Sequence, residues 1–247
     1  MRRVAGYLAA IAIILLGWWG LAALIHSPAL PDPWTALVSL WRVGPVLLPE
    51  VGVSLARVCV AMVIGMGLAL PVGVWIGRSA AVRVVATPLI HLLYPIPKVV
   101  LLPVLLVLLG LGNAPKVVLI ALTIFFQTLV SVRDAVRAIP TPYAAAVRAF
   151  GASRWQVMSH VVLPAALPGL FTSLRINVGT AIAILFLAES IAGSSGIGYY
   201  VMQMWAMIDY PAMFAGIIAM ATMGVVIYEV LELIDHVVLR WQRAGGQ

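Results

Sequence analysis

The stretch VGVSLARVCVAMVIGMGLALPVGVWI, residues 51–76, holds a single charged side chain, Arg57. A helix needs roughly 20 apolar residues to cross a hydrocarbon core of about 30 Å, and this run exceeds that. Ala61, Gly65, Ala69 and Gly73 recur through it every four residues, and Gly77 just past its end continues the series. That period lays small side chains in one smooth stripe along a helix, and such stripes let helix backbones approach closely in lipid. The stretch therefore predicts a membrane helix packed tightly on a neighbour. Gly73-Val-Trp-Ile-Gly77-Arg-Ser lacks the four-residue gap and the lysine of a phosphate loop.

Similar runs predict six spans, at residues 7–25, 51–76, 88–110, 114–130, 168–188 and 212–234. The 247-residue chain is 64% hydrophobic and 9% charged, with a mean hydropathy of +1.11, whereas soluble domains average about 25% charged residues. Continuous apolar runs, rather than short alternating segments, exclude a β-barrel. The expected fold is all-α: one polytopic transmembrane helical bundle over residues 1–247. The run after Arg2 and Arg3 is long for a signal-peptide core and no small-x-small cleavage site follows, so it reads as an uncleaved first span. Thr87-Pro88, Asn113-Ala-Pro115 and Asp209-Tyr-Pro211 each place a capping side chain before a proline tolerated in a first helical turn.

The net charge of +7 lies between spans, and no segment is large enough to form the folded basic face a nucleic acid needs. With the N-terminus inside, the cytoplasmic segments hold Arg2, Arg3, Arg78, Arg83, Arg133, Arg137, Arg148, Arg154, Arg240 and Arg243, against Arg42 and Lys116 outside. This positive-inside bias predicts both termini in the cytoplasm. Cys59 stands alone in an apolar run, and His26, His91, His160 and His236 fall at no ligand spacing, so no metal is expected. The acidic residues Asp32, Glu50, Asp134, Glu189, Asp209, Glu229, Glu232 and Asp235 sit at or near span ends. An ATP-independent secondary transporter or channel, the alternative function class, would instead use paired ionisable groups near the midplane.

Between the fourth and fifth spans lies AVRAFGASRWQVMSHVVLPAALPG, residues 146–169, a half-polar insert in a lipid-adapted chain. Thr141 before Pro142 predicts a helix start, and Gly151 a left-handed helix end. Ser153 and Gln156 have capping-box spacing. Trp155, Met158 and Val161 or Val162 share one predicted face, with Arg154, Gln156 and His160 off it, and Pro164 and Pro168 are expected to break the helix before the next span. Three readings fit: an interfacial helix on lipid headgroups, packing against the bundle, or docking into a groove of a soluble cytoplasmic partner.

Elsewhere, Arg57 and Lys98 fall at membrane depth, where they either bias a pathway toward anions or pair and snorkel near helix ends. Tyr94, Pro95 and Pro97 break the third span, lining a cavity or making a proline kink. Glu189 precedes Ser194-Ser-Gly-Ile-Gly198, either part of an outer gate or a plain glycine-rich turn.

Ala145-Ala146-Val147, then Gly151, then Val161-x-Leu163-Pro164 match the spacing of the EAA loop, and the chain resembles the membrane subunits of binding-protein-dependent ABC importers. Ser54-Leu55-Ala-Arg57, Tyr94-Pro-Ile-Pro-Lys98, Leu102-Pro103, Gly110-Leu-Gly112, Leu174-Arg175, Ala188-Glu189, Ser195-Gly-Ile-Gly-Tyr199 and Leu239-Arg-Trp241 extend the likeness toward the nitrate/sulfonate/taurine branch. The resemblance implies that residues 141–165 form a coupling helix seated in an ATP-binding subunit. Ala145, Ala146, Arg148, Phe150, Gly151, Ala152, Ser153, Arg154, Trp155, Met158, Leu163 and Pro164 would make that contact. Arg57, Tyr94, Pro95, Pro97, Lys98 and Glu189 would line the pathway, and Glu189, Ser195, Gly196, Gly198 and Tyr199 the outer gate or binding-protein seat. Two ATPase subunits holding ATP and Mg, a second permease copy and an extracytoplasmic binding protein are the implied partners, in a bacterial inner membrane. The chain itself would bind no cofactor and perform no covalent chemistry. Ala145 replaces the motif's usual glutamate, leaving Arg148 and Arg154 to supply the polar part of the contact.

Overall fold

A computed structural model describes residues 2–240, without the side chains of residues 2–4, 141 and 144. The side chains of Arg2, Arg3 and Thr141, together with Trp241 and Arg243, therefore lie outside the described parts. Every regular element described is a helix. In chain order these are α1 (Arg2–Ile25), α2 (Pro33–Arg78), α3 (Ala80–Leu93), a 3-10 turn (Lys98–Leu101), α4 (Leu102–Leu109), α5 (Asn113–Arg137), α6 (Thr141–Ala149) and α7 (Arg154–Val157). A π-turn (Met158–Val162), α8 (Leu163–Ala192), α9 (Ile197–Ala206) and α10 (Tyr210–Val238) follow. Five helices are long and apolar enough to cross a membrane, and six spans result if α3 with the 3-10 turn and α4 is one span bent by 83°.

α2 begins where Asp32 accepts the Thr35 amide at 3.0 Å and the Thr35 hydroxyl at 2.7 Å. The Thr35 hydroxyl, and then its amide, hold the Asp32 carboxyl below its usual range. The helix runs 46 residues, or about 69 Å at 1.5 Å per residue. Residues 33–50, expected to connect two spans, are thus helical. Pro45 and Pro49 each forfeit one amide donor, and α2 continues through both.

The chain clusters into two compact units, Met1–Ser54 with Glu189–Met223, and Leu55–Ala188 with Gly224–Gln247. In the first, the Trp18 indole donates to Pro31 O at 3.0 Å and stacks on Phe214 with ring centroids 5.4 Å apart. α10 starts at the Asp209 cap, which accepts the Ala212 amide at 3.0 Å as the sequence predicts.

In the second unit the small-residue stripe of α2 meets α5. Ala61 and Ala69 are fully buried. A Cβ on Gly65 would lie 2.8 Å from Ala121 O, one on Gly73 2.9 Å from Val132, and one on Gly77 2.8 Å from Val136. Ala69, Ile76, Ile90 and Leu129 form a core from α2, α3 and α5. α8 closes on α5 through Gly169, where a Cβ would stand 2.9 Å from that of Ala135. Arg175 of α8 pairs with the buried Asp235 of α10 at 3.4 Å.

Several predicted boundaries move. Pro88 lies inside α3, which starts eight residues earlier because Ser79 caps it, accepting the Val82 amide at 3.3 Å. Asn113 does not cap α5, whose capping residue is Gly112, because its side chain is engaged by Arg57. Lys116, counted among outside-loop charges, is 2% exposed in the first turn of α5, its ammonium donating to Gly112 O at 2.8 Å. Pro164 and Pro168 do not break the chain: Arg154–Ala192 is one continuous helical run. The π-turn lets the Leu163 amide reach Met158 O, five residues back, so the prolines enter a helix already re-registered.

Candidate functional site

The insert folds as its turn chemistry dictates. Pro140, rather than Thr141, is the extended residue before α6, and Pro142 sits in the first turn. α6 ends in a Schellman motif: the Gly151 amide donates to Arg148 O at 2.9 Å and the Ala152 amide to Val147 O at 3.4 Å. Gly151 takes φ +83°, with open space where a Cβ would be. The capping box then forms, the Gln156 amide donating to Ser153 Oγ at 3.2 Å and the Ser153 amide to Gln156 Oε1 at 2.7 Å.

The face this segment buries shares Val162 with the predicted one but is centred on Val157 and leaves Trp155 outside it. Val157 and Val162 are fully buried, followed by Ala166 and Leu170, while Met158, Val161, Leu163 and Pro164 are half-buried. The π-turn spaces the first pair by five, which a 3.6-residue period cannot anticipate. Trp155 is 73% exposed and Phe150 93% exposed, so the aromatics flanking Gly151 and the capping box project outward. Ala145, Ala146, Arg148, Ser153 and Arg154 are exposed with them, and Ala152 is half-buried.

A second group surrounds the broken span. After Tyr94 the chain leaves the helix, which strands carbonyl oxygens at its end. The Lys98 ammonium gathers three of them, donating to Leu93 O at 2.6 Å, Ile96 O at 2.8 Å and Tyr94 O at 3.1 Å. It also lies 4.7 Å from the centroid of the Phe126 ring, a favourable cation–π placement. Tyr94, Pro95, Pro97 and Lys98 line a cavity of about 320 Å³ with Thr123, Phe126, Gln127 and Thr180. Gln127, which sequence reasoning passed over, has a buried side-chain oxygen without a hydrogen-bond donor. Arg57 is 4% exposed and donates from Nε and a terminal nitrogen to Asn113 Oδ1 at 2.8 and 2.7 Å.

The third group is a clamp on the turn between α8 and α9. Glu189 is fully buried, accepting the Ser54 hydroxyl at 2.9 Å on each carboxylate oxygen and the Gly198 amide at 2.9 Å. The Ile197 amide donates to Ser54 Oγ at 2.9 Å, and the Gly196 amide donates to Glu50. Gly196 has φ +104°, and a Cβ there would stand 2.3 Å from the Glu189 carboxyl carbon. Glu50 is a clamp residue missed from sequence, although its four-residue spacing from Ser54 puts both on one helix face. Ser195 and Tyr199 flank the clamp, both half-buried. Among the described residues no group of three metal-ligating side chains converges.

With its broken span and the helix–turn–helix between two spans, this helical membrane chain is similar to transport permeases. Residues 69–240 match the model of the family described as "binding-protein-dependent transport system inner membrane component", and the chain belongs to that ABC importer permease family. It is 31% identical to the taurine transport system permease protein TauC of Escherichia coli K12 over 97% of this chain and 90% of that one. It is 27% identical to the putative aliphatic sulfonates transport permease protein SsuC of Bacillus subtilis, over 94% and 86%. Its fold resembles that of a chain in an inward-facing structure of the MetNI methionine ABC transporter, with a TM-score of 0.62, 22% identity, and coverage of 78% of this chain and 94% of that chain. The sequence-based expectations of this family, its taurine and sulfonate branch and an all-α membrane fold are met. Permeases of this family work with ATPase subunits and binding proteins.

Proposed function

We propose that residues 1–247 act as one permease domain of an ATP-driven importer for a small anion such as a sulfonate, taurine or nitrate, delivered by an extracytoplasmic binding protein. The likeness to taurine and sulfonate permeases supports that substrate class. Two such chains form the pathway in the bacterial inner membrane, both termini cytoplasmic, and two partner subunits bind ATP with Mg and hydrolyse it. Residues 141–165 seat in those subunits. Arg57, Tyr94, Pro95, Pro97, Lys98 and Glu189 are pathway candidates, and Glu189, Ser195, Gly196, Gly198 and Tyr199 belong to its outer end.

The observation that carries the docking reading is the pair of exposed aromatics, Phe150 and Trp155, held on either side of a turn fixed by a Schellman motif and a capping box. Pre-ordered aromatic anchors lose little conformational entropy on entering a groove. The test is co-purification of the tagged chain, gently solubilised, with companions identified by mass spectrometry. An ATP-binding subunit in near-equal amount, lost in Phe150→Ala/Trp155→Ala, is the expected result. A chain that comes out alone yet moves taurine in liposomes without ATP would overturn it.

A further inference from the structure

Arg78, Arg83, Arg137 and Arg148 line a single cavity of about 490 Å³. They come from four elements: the end of α2, the start of α3, the end of α5, and α6. The other lining residues, among them Gly77, Val136 and Ala145, are uncharged, so among the described residues no carboxylate lines the cavity with the arginines. The nearby Asp134 is committed to Arg133, at 2.8 and 3.1 Å. Four guanidinium groups around one cavity repel each other unless an anion joins them. Guanidinium forks match phosphate oxygens bidentately, and basic pockets between membrane helices suit phospholipid headgroups.

A lipid also needs an apolar path for its chains. α3 carries one just beyond Arg83: Val84, Val85, Leu89 and Leu92 are 75%, 64%, 52% and 71% exposed. A soluble anion or a protein carboxylate would have no use for that stripe. We propose that this cavity binds the phosphate of an anionic phospholipid headgroup, with the acyl chains along the exposed face of α3. The proposal is independent of the transported solute. It shares Ala145 and Arg148 with the proposed docking segment, so its test leaves those residues intact.

The full-length chain in detergent, stripped of lipid, is titrated with phosphatidylglycerol, phosphatidylcholine or inorganic phosphate and read by native mass spectrometry. Phosphatidylglycerol is expected to bind ahead of phosphatidylcholine. In Arg83→Gln/Arg137→Gln it should weaken by about tenfold for each guanidinium removed. Arg42→Gln, the loss of one charge at an exposed position outside the cavity, should leave it unchanged. Arg83→Lys/Arg137→Lys keeps the charge without the fork, so an intermediate loss supports phosphate recognition. Equal binding of the two lipids by the wild-type chain overturns the proposal whatever the variants do. Inorganic phosphate that displaces phosphatidylglycerol at matching concentration makes this a soluble-anion site and overturns the lipid occupant. Displacement of the lipid by added ATPase subunit assigns the cavity to a protein carboxylate, which also overturns it.

Discussion

Two helix ends in this chain use one motif with different residues in its left-handed position. At the end of α6 that residue is Gly151, at φ +83°. At the end of α9 it is Ile208, at φ +61°, with the Asp209 amide on Met204 O and the Ile208 amide on Trp205 O, both at 3.0 Å. A β-branched residue there costs about 1–2 kcal/mol in backbone sterics, and at 70% exposure Ile208 recovers little by burial. Ile208→Gly should therefore raise stability by roughly 1 kcal/mol, read as a higher midpoint in thermal unfolding of the solubilised chain. At Gly151 the reverse holds. Gly151→Val should lose about 1–2 kcal/mol of turn stability and most ATPase-subunit capture, while Gly151→Asn, which tolerates that region, keeps both; equal capture by the two variants would show that the turn does not matter. The glycine was legible because φ > 0 has a residue signature, whereas an isoleucine forced there leaves none. The Glu189 clamp is also a residue-scale device. Glu189→Ala leaves the Ser54 hydroxyl and the Gly198 amide without that acceptor and should destabilise by roughly 3 kcal/mol, with Ser54→Ala costing less; a shift under a tenth of that in denaturant unfolding would mean the clamp is incidental.

Among the elements, the sequence conveyed membrane helices well and their breaks unevenly. The run at residues 51–76 announced both a span and its packing stripe, since hydrophobicity and a four-residue period are properties of the segment itself. The helical continuation through residues 33–50 was not legible, because Pro45 and Pro49 look like stops when only local propensity is read. The buried face after Ser153 was anticipated at Val162 but not at Val157, for a related reason: one π-turn shifts every later residue by about 100° around the axis. The break after Tyr94 was legible from Pro95 and Pro97, but its stabilisation was not, because the three carbonyls that receive Lys98 are backbone groups. Removing that ammonium by Lys98→Met leaves them without that donor and should cost about 1–3 kcal/mol. Limited proteolysis after Tyr94 would detect the loosened break, and unchanged cleavage would argue against a stapling role.

For the whole molecule, the family is legible in scattered motifs spanning nearly the entire chain, and the insert's turn is local, while the broken-span group and the Glu189 clamp are completed by tertiary contacts. Asn113 illustrates the gap: its sequence neighbours suggest a cap, and only the fold brings Arg57 to it. If transport requires the partner subunits, liposomes holding this chain alone should pass no taurine, and adding the ATPase subunits, binding protein and ATP should start uptake. Radiolabelled taurine accumulation checks both arms, and uptake by the chain alone would contradict the importer reading. Assembly also depends on the α2–α5 seam. Gly73→Leu drives a branched side chain into Val132 and should cost about 1–3 kcal/mol as overpacking, seen as a lower yield of folded chain. That seam has a mechanical meaning. Val132 and Val136 stand opposite Gly73 and Gly77 like teeth in slots cut four residues apart. Any slip of less than one slot, about 6 Å along the axis, would set a valine against a larger neighbour. α2 and α5 therefore cannot creep past one another: they stay engaged, or they jump a full notch.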